Sequence, residues 1–139
     1  MVKDRYHEFL RQVPMFSSLD HDELEAVARA VTDLEFDAGH VLMREGGSAH
    51  ELVIVVDGQL EVTRDGAHIA DIGPGGFAGE LALFAHSRRH ATVTTKTHVS
   101  LLHIDGRTFS ALMEDVPRIA VKMLPIIAGR VSHADDHST

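Results

Sequence analysis

Between residues 35 and 105 the chain is cut at short intervals by glycine-bearing turns. They are Ala38-Gly39, Glu45-Gly46-Gly47, Asp57-Gly58, Asp65-Gly66 and the run from Gly73 to Gly76. Between them lie short β-branched, partly alternating stretches: Leu52–Val56, Gln59–Thr63, His68–Ile72, Ala91–Thr95 and Val99–Ile104. Strand-like runs separated by turns about every ten residues predict an antiparallel barrel or sandwich. No βαβ rhythm is present.

Helical patterns flank this zone. In residues 1–34, Phe9, Leu10 and Val13 form a short apolar stripe that stops at Pro14. The turn Val13-Pro14-Met15-Phe16-Ser17-Ser18-Leu19 carries large apolar side chains that need a surface to dock on. Asp20 then stands three residues before Glu23, the spacing of a capping box. Leu24, Val27, Ala28 and Val31 follow at helical spacing. In residues 106–139, Phe109, Leu112 and Met113 share one helix face. Pro117 suits a first helical turn. Ile119, Ala120, Met123, Leu124, Ile127 and Val131 continue a stripe in which Pro125 should bend or interrupt the helix. The polar tail after Ser132 is expected to fray.

A chain of 139 residues, 44% hydrophobic and 24% charged, has the size and balance of one globular domain. Thirteen Lys and Arg against twenty-one Asp and Glu give a formal charge of −8. No basic stripe is visible, so direct nucleic-acid binding is not expected. An anionic ligand would have to be met by a local site. The absence of cysteine removes disulfides, thiol catalysis and every Cys-based metal site. No apolar run is long enough for a membrane span. The N-terminus has no apolar signal core, so a cytoplasmic location is expected.

The densest chemistry lies in residues 73–93, where glycines interrupt the β-rhythm before a short helix-like turn, Glu80 to Phe84. Gly79 permits close backbone approach. The free N–H groups of a helical turn suit an anion. Arg89 offers a forked, permanently charged donor for phosphate oxygens, and Glu80 a fixed acceptor for ribose hydroxyls. Taken alone, Arg89 reads better as a surface arginine, and Glu80 also reads as an acid favoured by a helix dipole. Together they describe a nucleotide with one phosphate charge and a free 2′-hydroxyl.

The string Gly79-Glu80-Leu81-Ala82-Leu83, with Arg89-His90-Ala91-Thr92-Val93 nine residues after Glu80, resembles the phosphate-binding cassette of the cyclic nucleotide-binding domain family. Catabolite-activator-type regulators, protein kinase A regulatory subunits and cyclic-nucleotide-gated channels belong to that family. The resemblance extends over most of the chain, including Val13-Pro14-Met15-Phe16 with Leu19 and the turns at Gly39, Gly46 and Gly58. It implies a mainly β fold, an antiparallel jelly-roll barrel with an N-terminal helical motif and C-terminal hinge or lid helices. The cassette would span residues 79–93.

The resemblance further implies that Arg89 pairs with the cyclic phosphate and that Glu80 takes the 2′-hydroxyl. The N–H groups of Ala82, Leu83, His90 and Ala91 would complete the phosphate seat. Val62, Ile69 and Ile72 would line the base, although each also reads as plain barrel core. Arg88 departs from the pattern, since many members carry a less charged residue there. In an extended segment it points away from its neighbour. Guanine-favouring members often place Thr or Ser where this chain has His90, which leans the ligand toward cAMP over cGMP. No aromatic lid for the base is evident. Members usually regulate an attached output domain, so an output domain or a separate effector protein is the expected partner. The C-terminal helix could also serve a homodimer seam. The expected mechanism passes from the ordered cassette to the helix of Phe109, Leu112 and Met113. The C-terminal helix then closes with Ile119, Met123 and Ile127 over apolar surface.

Other chemistries fit less well. Gly73-x-Gly75-x-x-Ala78 matches a dinucleotide fingerprint, but no long helix or distal acid follows. No P-loop and no serine nucleophile elbow occur. The pairs His86/His90 and His133/His137 among eleven histidines read as scattered surface residues, so no metal is expected. A cupin-like metalloenzyme would need a His-x-His that is missing. A jelly-roll interaction or dimerisation module that no longer binds nucleotide is the main alternative. No catalytic residue and no cofactor are expected.

Overall fold

The computed structural model describes residues 2–47, 51–79 and 91–126. The chain divides into two compact units, residues 31–107 and residues 1–30 with 108–139.

The first unit holds two antiparallel four-stranded sheets. One has the order β1 (Thr32–Phe36), β8 (Val99–Asp105), β3 (Glu51–Asp57), β6 (Phe77–Ala78). The other runs β2 (Val41–Met43), β7 (Thr92–Thr95), β4 (Leu60–Arg64), β5 (Ala67–Ile72). The sequence expectation of an antiparallel jelly roll is met by these two ladders, and among the described residues no strand pair joins them into one closed ring.

Alternation along the strands explains the core. Val53, Val55, Val99 and Leu101 of one sheet meet Met43, Leu60 and Val93 of the other, all at 5% exposure or less. Each such aliphatic side chain contributes about 1.5–3 kcal/mol when withdrawn from water. The helical zone read as reaching residue 34 ends earlier, since β1 already opens at Thr32. Val31 keeps the helical spacing of apolar residues. Thr32-Asp33-Leu34-Glu35-Phe36 alternates instead, and its pairing with β8 makes it a strand.

The turns show why glycine stands where it does. Asp65 and Gly66 both have positive φ, 53° and 80°, the requirement of a two-residue hairpin of the mirror-image type between β4 and β5. Gly58, with φ 90°, carries the chain from β3 to β4. A Cβ there would collide with the His98 carbonyl oxygen and lie 2.8 Å from Val99 Cγ1. The one buried polar side chain described in this unit, Thr95, is fully employed. Its hydroxyl donates to the Asp37 carbonyl at 2.7 Å and accepts from the His40 N–H at 2.8 Å.

In the second unit, α1 (Val2–Gln12) leads into a 3-10 turn, Pro14–Phe16, and then α2 (His21–Ala30). Val13, Met15, Phe16 and Leu19 are all buried, as the apolar turn required. The capping box forms reciprocally. The Glu23 N–H donates to Asp20 Oδ1 at 2.9 Å, and the Asp20 N–H donates to Glu23 Oε1 at 2.8 Å. The third helix, α3 (Gly106–Asp115), buries Phe109 and Leu112 and leaves Met113 half-buried. Residues 117–126 are helical, with Pro117 at the start and Pro125 inside the helix, so Pro125 does not interrupt it within the described residues. No helix among the described residues is long and apolar enough to cross a membrane.

Gly58→Ala should lower unfolding stability by on the order of 2 kcal/mol, because strain and collision coincide there. Gly66→Ala, with a similar φ but open space around it, should lose visibly less; chemical denaturation of both variants checks the order. His98 gives a pH-dependent counterpart. Its Nε2 lies 3.1 Å from Glu35 Oε1 and its Nδ1 3.1 Å from Asp37 Oδ1. A neutral imidazole has one N–H, so only the imidazolium satisfies both acceptors. The hydrogen bond to Glu35, then that to Asp37, raises the His98 pKa above its ordinary value. Its stabilising contribution is therefore complete below about pH 6.5 and disappears as pH climbs through the raised value. The denaturation midpoint of the wild type should exceed that of His98→Gln in mild acid and converge with it in alkali.

Candidate functional site

The chain reaches Gly79, where the expected cassette begins, through a sheet-to-sheet crossing. β5 ends at Ile72 in one sheet, and β6 begins at Phe77 in the other. The turn between them is pinned to β3. The Gly75 N–H donates to the Val55 carbonyl at 2.8 Å, and the Val55 N–H donates to the Gly76 carbonyl at 2.9 Å. Gly75 has φ 86°, and a Cβ on Gly76 would come within 2.5 Å of Ile72 Cγ2. This close approach is the reason for consecutive glycines. Phe77 and Ala78 then pair with Ile54 and Val53 and are buried. Gly79 follows in the left-handed region, φ 98°.

The description resumes at Ala91, which is half-buried and leads directly into β7. There Thr92 pairs with Thr63 and Val93 with Val62. The segment holding both Glu80 and Arg89 thus leaves the chain's path at the end of one sheet and returns it to the other. Glu80, Leu81, Ala82, Leu83, Arg89 and His90 themselves lie outside the described residues, as do Arg88 and Ile127.

The three candidate base-lining residues are placed unequally. Val62 and Ile72 are half-buried and pack on the apolar core between the sheets. Ile72 sits opposite Leu60, and Val62 opposite both Ala70 and Val93. Ile69 falls where the β4–β5 register slips, since Val62 pairs with Ala70 but Thr63 with His68. It is the extra residue of a bulge, half-buried and not part of that core. Val93 joins Val62 on the inner face, a residue that cassette spacing alone does not single out. The alternation Thr92-Val93-Thr94-Thr95 carries that signal, with the valine facing in.

The opposite face of β4 and β5 is polar. Glu61 stands across from Asp71, and His68 Nδ1 lies 2.8 Å from Glu61 Oε2. Lys96 Nζ donates to Asp71 Oδ2 at 3.2 Å. Glu61, His68 and Asp71 are close enough to share a cation, as are the exposed His21, Asp22 and Glu25 on α2. In the first group both carboxylates have cationic or imidazole neighbours, Lys96 and His68; in the second, Glu25 has Arg29 at 3.6 Å and His21 at 3.8 Å.

Comparison with known proteins agrees with this architecture. Residues 33–116 match the family model described as the cyclic nucleotide-binding domain. A cAMP-dependent protein kinase regulatory subunit of Schizosaccharomyces pombe is 33% identical over 109 residues, covering 78% of this chain and 26% of that protein. This chain therefore spans about a quarter of that relative's length. Among solved structures, the regulatory subunit of a cAMP-independent protein kinase A from Trypanosoma brucei superimposes with a TM-score of 0.82 at 26% identity, over 95% of this chain and 46% of that one. The regulatory domain of Toxoplasma gondii protein kinase A, crystallised with cAMP, gives 0.73 at 35% identity, over 81% of this chain and 45% of that one. The match runs from β1 to the end of α3 and takes in both sheets and the whole of residues 79–93, so the chain belongs to the cyclic nucleotide-binding domain family.

Proposed function

We propose that this chain is a cyclic nucleotide-binding regulatory module with cAMP as its ligand in preference to cGMP. The observation that carries the reading is the crossing itself. A left-handed Gly79 closes β6, Ala91 opens β7, and the stretch between them contains Glu80 and Arg89 at the spacing of the family's cassette.

In this reading Arg89 pairs with the cyclic phosphate and Glu80 accepts the ribose 2′-hydroxyl. The N–H groups of Ala82, Leu83, His90 and Ala91 surround the phosphate oxygens, with Leu81 completing the turn. A charged ligand held in an apolar fold needs this pairing, because an uncompensated buried charge is costly. Val62, Ile69 and Ile72 meet the base, and Val93 stands beside Val62. The module performs no reaction of its own. It acts in the cytoplasm and reports ligand to an effector protein or output domain through movement of its C-terminal helix. The ligand drives that movement only by binding one arrangement better than the other.

Calorimetric titration with cAMP, cGMP, adenosine and guanosine tests the reading. The nucleosides are included because one similar structure is named as a cAMP-independent subunit. Saturable binding of cAMP, tighter than cGMP and far tighter than either nucleoside, is expected. Arg89→Ala should weaken it about tenfold or more, roughly 1.4 kcal/mol, through loss of a charge-assisted bond to phosphate. Arg88→Ala should leave it nearly unchanged. Binding that survives Arg89→Ala would reject the assignment, and no binding of any nucleotide would leave the interaction-module reading standing.

A further inference from the structure

Glu23 is the only acidic residue among those described that is fully buried, at 1% exposure. Its place in the capping box accounts for one oxygen only in part. Oε1 accepts the Asp20 N–H at 2.8 Å and also the Lys122 ammonium at 2.6 Å. Oε2 lies 3.1 Å from Arg118 Nε, an ion-pair contact without an aligned hydrogen bond. Arg118 and Lys122 are one helical turn apart, so both project from the same face of helix 117–126. Ile119 and Met123, one position further on, have no exposed surface. One rotational setting of this helix therefore buries its apolar stripe and brings both cations to a single carboxylate.

From this we infer that Glu23 is a latch residue that fixes the seating and rotational phase of helix 117–126 on α2. The carboxylate is prepared for the role by its own helix. The capping box holds its side chain in place, so little rotamer freedom remains to be lost when the cations arrive. Lys122, whose hydrogen bond is the chief cause, keeps the Glu23 pKa below its ordinary value despite burial. The carboxylate thus stays charged, and the socket is selective for a cationic helix face. An apolar stripe alone tolerates sliding and rotation; two cations on one buried acid do not. This goes beyond the nucleotide reading: it concerns how helix 117–126 is seated on α2 in the chain without nucleotide.

Hydrogen exchange on the full chain, without nucleotide, tests it. Arg118 and Lys122 are 70% and 34% exposed at their side chains, so replacing them does not open the core. In Arg118→Gln/Lys122→Gln, amides of residues 117–126 should exchange at least about tenfold faster, while those of β3 and β8 keep their wild-type rates. Glu23→Gln, which retains a capping oxygen but no charge, should show the same local acceleration. Lys122→Arg should restore near wild-type protection. Unchanged exchange in residues 117–126 of the double variant would overturn the latch. So would an acceleration shared equally by β3 and β8, which would make the ion pair a general stabiliser instead.

Discussion

The apolar layer between the two sheets is the constraint on which the rest depends. Val53, Val55 and Leu101 on one side and Leu60, Val93 and Met43 on the other are almost wholly withdrawn from water. Because strand side chains alternate, that layer fixes the register of β4 and β7. It thereby decides that Val62 and Ile72 turn inward while Glu61 and Asp71 turn outward. The crossing from β5 to β6 is equally a product of it. A chain leaving one sheet at Ile72 and entering the other at Phe77 has four residues in which to turn, and Gly76 meets Ile72 too closely for any side chain. The point at which the chain leaves β6 at Gly79 is set by packing before any ligand is considered.

Among the described residues two buried polar side chains, Thr95 and Glu23, break the apolar rule, and each is held in its own way. Thr95 spends its hydroxyl on two backbone groups and ties the β1–β2 turn to β7. Such a group is neutral, and although its partners lie 58 and 55 residues away in sequence, its removal would leave only a carbonyl and an N–H unmet. Glu23 is charged and nonlocal, with a partner ninety-nine residues away. Burying a carboxylate is tolerable only because cations and a helix N-terminus meet it together. The first device holds a turn in shape. The second joins two helices that the sequence keeps far apart.

Much of this was legible in the residues. The glycine-bearing turns marked the strand boundaries because positive φ is required at Gly39, Gly46, Gly58, Gly66 and Gly75. Asp20 and Glu23 announced a capping box, and it formed. Of Val62, Ile69 and Ile72, which the resemblance set at the base and which read equally as barrel core, Val62 and Ile72 do pack on the apolar layer. The start of β1 was missed because Val31 satisfies a helical period and a strand equally well, and only pairing with β8 separates the two. The bulge that displaces Ile69 left no local mark either. It arises from the mismatch between β4 and β5, a property of two strands and not of one. The convergence of Arg118 and Lys122 on Glu23 is nonlocal in the same sense: helical spacing shows that the two cations share a face, but not what that face meets.

The long separation between Glu23 and Lys122 has a kinetic side. While the chain emerges from a ribosome, α2 is complete early, but its acid has no cationic partner until every strand and the following helix have been made. Loop closure over such a distance is entropically unfavourable until the intervening sheets have collapsed and shortened the path. The helical unit is therefore finished after the sheets, although α2 precedes every strand in the chain. A nascent chain stopped between residues 107 and 122 would hold every strand of the β-unit and an N-terminal helix still waiting for its counterpart.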